Sequence, residues 1–65
     1  MDERDLRGHL DALKIEHRDL DVAIEALAVV AQPDQLRLAR LKKRKLRLRD
    51  EIVAVEGLLI PDILA

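Results

Sequence analysis

The chain has 65 residues, of which 49% are hydrophobic, 38% charged and none aromatic or cysteine, and its formal net charge is −1. That length holds one domain, residues 1–65, near the size at which a single core barely outweighs chain entropy and oligomerisation is a common supplement. Without cysteine there is no disulfide, thiolate metal site or thiol nucleophile, and without aromatics no base-stacking platform or Trp/Tyr interface anchor.

The opening residues Met-Asp-Glu-Arg-Asp are too charged for a secretory signal, and the longest apolar run, residues 26–31, is too short to span a bilayer. A cytoplasmic protein without membrane contact is the expectation. Asp2 is placed to cap a first helix, with Glu3 and Asp5 favourably sited in its first turn. Leu6, Leu10, Leu13, His17, Leu20, Ile24 and Leu27 then recur alternately at four and three residues, a heptad seam predicting helix one over about 2–31. The turn is expected at about 32–33. Pro33 suits a first helical position, where its missing N–H has no partner anyway, and Asp34 and Gln35 follow as first-turn residues.

Helix two is predicted over about 33–60, carrying a second seam of Leu38, Leu41, Lys45, Leu48, Ile52, Val55 and Leu59. Pro61 ends it by disfavouring helical geometry in the residue before it, which leaves a short tail, 61–65. The two seams mirror each other: Leu27 pairs with Leu38, Leu13 with Ile52 and Leu6 with Leu59, each pair of numbers adding to 65. A chain folded back on itself produces this register, so the fold class is all-α, an antiparallel helical hairpin.

Charge supports this outline weakly. Residues 1–32 carry eight acidic and four basic side chains, and residues 33–65 five acidic and eight basic. In the ideal register Arg7 meets Glu56 and Asp21 meets Lys42, whereas Lys14 meets Arg49 and Glu16 meets Glu51 as like charges. Exposed pairs contribute only about 0.2–1 kcal/mol each, so the apolar register carries the fold.

A second apolar pattern lies behind the seams. Ala12, Ile15, Val22, Ala26 and Val29 occupy c and f positions of helix one, and Ala39, Leu46, Val53 and Ile60 recur every seven residues at b in helix two. A hairpin alone leaves these rows in water, which predicts self-association through Ile15, Val22, Val29, Leu46, Val53 and Ile60 into a four-helix dimer.

His17 and Lys45 interrupt the seams at neighbouring layers. Polar groups in a core fix alignment at some cost in stability, and one of Asp21, Glu16 or Glu51 is expected to turn toward this level. Two histidines eight residues apart, His9 and His17, do not share a helix face as metal ligands four apart do. No phosphate loop, G-x-S-x-G or H-E-x-x-H occurs, and the chain has neither serine nor threonine, so no enzyme, cofactor or metal is expected.

The basic stretch from Arg37 to Arg49 is the one competing signal. Arg37, Arg40, Lys43, Arg44 and Arg47 are candidate contacts for nucleic acid or another polyanion. Against this, the charges are spread around the helix between Leu38, Leu41, Leu46 and Leu48, beside an acidic first helix.

The segments EHRDLDVAI, residues 16–24, and LKKRKLRLRDEI, residues 41–52, resemble the two signature stretches of the YdcH family, small bacterial proteins of unknown function; PDILA, 61–65, is similar to the tail of some members. The family pattern falls on His17, Arg18, Leu20, Asp21 and Ile24, then on Leu41, Lys42, Lys45, Leu46, Leu48, Asp50, Glu51 and Ile52. The resemblance implies a short coiled-coil hairpin and assigns no catalytic role. The expected function is a non-enzymatic interaction module that self-associates and offers a charged surface to a protein partner, with polyanion binding through helix two as the alternative.

Overall fold

A computed structural model describes residues 2–59 as two helices, α1 (Glu3–Ala28) and α2 (Gln35–Leu59), packed side by side. The expected end of helix two at residue 60, the Pro61 stop, the 61–65 tail and Ile60 of the outer row lie outside the described residues. The antiparallel hairpin is as the heptads predict. All fourteen seam positions are buried or half-buried, and Leu13, Leu48 and Val55 form the core cluster, with Leu6, Leu10, Leu20, Ile52 and Leu59 packed against it. Ile24 and Leu38 are buried nearer the turn.

The molecule measures 48 × 22 × 14 Å. Its thinnest dimension is close to one helix diameter, about 10–12 Å with side chains. With no third layer among the described residues, each helix buries only the narrow stripe that faces its partner.

The start of α1 is as the sequence predicts: the Asp5 backbone N–H donates to Asp2 Oδ1 at 2.8 Å. The connection differs. Helix one ends at Ala28, with Val29 as its C-cap, and not at about residue 31; helix two opens at Gln35 and not at Pro33. Asp34 is the N-cap of α2, its Oδ1 accepting from the Arg37 N–H at 3.0 Å while its carbonyl accepts from the Leu38 N–H, also at 3.0 Å. Pro33 therefore precedes the cap and is half-buried. The turn covers residues 29–34, and Pro33 contributes to its length by disfavouring helical geometry at Gln32.

Gly8 and Gly57 stand at outward positions of the helices, and a Cβ at either site meets nothing within 4 Å. Each glycine costs about 0.5–1 kcal/mol relative to alanine in a helix interior. Gly8→Ala and Gly57→Ala should each raise stability by about that amount, read as an upward shift of the thermal midpoint.

Candidate interaction surfaces

With a and d in the seam, f positions face directly away from the partner helix, while e and b lie on one flank and g and c on the other. The described residues carry chemistry on three of these faces.

The e flank holds the polar seam residues. Lys45 reaches out of the seam and its Nζ donates to Asp21 Oδ1 at 2.5 Å, with the two side chains 34% and 47% exposed. Of the three carboxylates expected to turn toward the His17–Lys45 level, Asp21 does so. The hydrogen bond from Lys45 and then its charge hold the Asp21 carboxyl below the ordinary carboxylate range, desolvation opposes them, and the His17 charge adds a smaller downward pull. His17 is half-buried, and with Ile24, Lys42, Lys45, Leu46 and Arg49 it lines a shallow groove along this flank.

A carboxylate with a lowered folded pKa stabilises the fold fully above its unfolded pKa, about 4, and loses that contribution as pH falls through the folded value. The Asp21→Asn variant lacks this component. The stability difference between parent and variant should therefore shrink as pH is lowered below about 4. A difference that stays constant through acid would show that the pair contributes nothing.

The remaining ion pairs depart from the ideal register. Lys14 pairs with Glu56 at 3.7 Å instead of facing Arg49, and Glu16 pairs with Arg44 at 3.7 Å instead of facing Glu51. Arg7 binds Glu3 on its own helix at 3.8 Å, not Glu56, and Asp21 takes Lys45, not Lys42. Side chains on a helix lean toward its N-terminus, so across an antiparallel pair Lys14 and Glu56 lean toward a common level. Glu16 is drawn by charge, since its ideal partner is another acid. These pairs are largely exposed and contribute at most about 1 kcal/mol each.

The outer apolar rows are open to solvent. Ile15 and Val22 on α1 and Leu46 and Val53 on α2 are all more than half exposed. Val29 is 82% exposed but sits beyond the last helical turn, so the α1 row ends at Val22. Leu36, Leu58 and Val30, which heptad reasoning passed over, are also exposed. Leu36 and Leu58 are near the ends of α2 and Val30 is in the turn, where the partner helix gives little cover.

The basic residues of α2 are spread around the helix, but four of its arginines share one side. Arg37, Arg40, Arg44 and Arg47 recur at three, four and three residues within α2, so they form one row along the g and c flank. All four are exposed, with Lys43 beside them, and Arg44 is engaged by Glu16. Alternating spacing of the arginines was the available signal; it is obscured by the lysines interleaved at 42, 43 and 45.

Among the described residues no helix is long and apolar enough to cross a membrane. No curated protein and no solved structure matches the chain. Residues 10–56, which hold the turn and every seam position except Leu6 and Leu59, match the family described as protein of unknown function, DUF465. The YdcH proteins that the sequence resembles are part of that family, and the chain belongs to it.

Proposed function

We propose that this hairpin is a non-enzymatic interaction module that self-associates, with a four-helix dimer as the smallest assembly, and presents its charged faces to a protein partner in the cytoplasm. The observation that carries the reading is the pair of heptad-spaced apolar rows, Ile15 with Val22 and Leu46 with Val53, which remain exposed after the seam is complete. Contiguous exposed apolar surface on a small domain marks an interface, and a two-helix core of this size gains from further burial. Light scattering coupled to size exclusion should give a mass above that of one chain at about tens of micromolar, where association of micromolar strength is populated. A single-chain mass throughout that range would overturn the proposal.

A second reading, nucleic-acid or polyanion binding, is favoured by the arginine row Arg37, Arg40, Arg44 and Arg47 with Lys43 alongside. Phosphate binding by such a row weakens steeply with salt. Titration with RNA and duplex DNA at two salt concentrations separates the readings: absence of binding at low salt removes the second.

A further inference from the structure

Self-association, on which this inference rests, does not say which surfaces meet. The α1 row of Ile15 and Val22 points directly away from α2, whereas the α2 row of Leu46 and Val53 lies at b, on the e side. In the heptad frame the two rows diverge by roughly 130° around the rod, so one flat partner surface does not cover both. Pairing like with like is opposed by charge. The α1 row is flanked by Asp11, Asp19 and Glu25 against Arg18, a net acidic border; the α2 row is flanked by Lys42, Lys43 and Arg49 against Asp50 and Glu56, a net basic one.

We propose that a second copy of this chain docks the back of its α1, through Ile15 and Val22, onto the e/b flank of α2, against Leu46 and Val53, with the two helices running in the same direction. Setting Ile15 of one copy against Leu46 of the other brings Val22 to Val53. The same register places Asp11 beside Lys43, Arg18 beside Asp50 and Asp19 beside Arg49, three opposite-charge pairs with no like-charge pair at the border. All six of these side chains are exposed, and among the described residues none takes part in an ion pair within its own chain. The register also sets the two rods level, because position 48 lies opposite position 17 both within one hairpin and across the contact.

Opposite helix directions serve less well. With Ile15 on Val53 and Val22 on Leu46, Arg18 falls beside Arg49, Asp11 beside Glu56 and Asp19 beside Asp50, three like-charge pairs against the single attraction of Glu25 beside Lys42. With Val22 on Val53, the copies slide past each other by ten residues, about 15 Å, and the border needs Glu56, which Lys14 already holds. The contact is heterologous: each copy donates one surface and receives on another, and because each copy runs opposite to the one before it, assembly continues past two copies as a chain of alternating rods.

The test is sedimentation equilibrium on the full chain and its charge-reversed variants, with far-UV circular dichroism to establish that helicity is retained. Asp19→Arg and Arg49→Glu should each raise the dissociation constant by about threefold to tenfold, since each turns an attraction into a repulsion. An equimolar mixture of the two variants should recover parental assembly, because unlike copies again present opposite charges at this site. Val22→Glu, in the α1 row and outside the seam, should abolish assembly with helicity intact. Failure of the reversals to weaken association, or of the mixture to recover it, overturns this docking while parental self-association stands. A parent that is a single chain throughout overturns both.

Discussion

Replacing Leu13 or Leu48 by alanine should lower stability by about 2–5 kcal/mol, the range for truncating a buried leucine in a core that relaxes only partly. Both side chains are among the most buried of the described residues, at 5% and 6% exposure, and both belong to the same core cluster. Single domains are stable by about 0.05–0.15 kcal/mol per residue, so a loss of this size removes much of what a chain of 65 residues has. Ile52→Ala, at a half-buried seam position, should cost less than either. Arg37→Ala and Arg47→Ala alter exposed side chains and should shift stability by no more than about 0.5 kcal/mol. Urea melts of the five variants give the comparison. Equal midpoints would mean that the seam is not the core.

The second large effect has the opposite sign. Substituting leucine at both His17 and Lys45 should raise stability by about 2 kcal/mol, because each seam position is half-buried and a fully buried leucine contributes about 1.5–3 kcal/mol. Loss of the Lys45–Asp21 hydrogen bond offsets only part of this, since the Asp21 side chain is 47% exposed and water replaces its partner. Alignment should suffer in exchange. An uninterrupted apolar seam accommodates shifted layers and other oligomers more readily than one whose polar positions must reach particular partners. A chemical melt combined with sedimentation tests both halves: a less stable double variant would show that His17 and Lys45 contribute more than alignment.

The arginine row and the apolar flank are on different sides of α2, so their roles are separable. Arg44 and Arg47 lie on the g and c flank with Glu16, while Leu46 and Arg49 border the e-side groove with His17 and Ile24. A polyanion on the first leaves the second free for another copy of the chain.

The seam, its antiparallel register and the Asp2 cap were legible in the sequence because each depends on local spacing: heptad periodicity assigns a face to every residue before any partner is known. Thus Leu13 and Leu48 were placed correctly with nothing beyond their numbers. Three features depended on the tertiary arrangement. The packing of the two helices decided where the connection runs: the turn takes residues 29–34, and α2 opens at Gln35 behind the Asp34 cap, not with Pro33 as its first helical residue. The lean of side chains toward each N-terminus, together with competition among charges, gave Lys14 to Glu56, Glu16 to Arg44 and Asp21 to Lys45, choices that ideal e and g pairing does not reproduce. The absence of a third layer among the described residues, across a 14 Å thickness, left Ile15, Val22, Leu46 and Val53 open to solvent, since one helix facing another covers only the stripe between them.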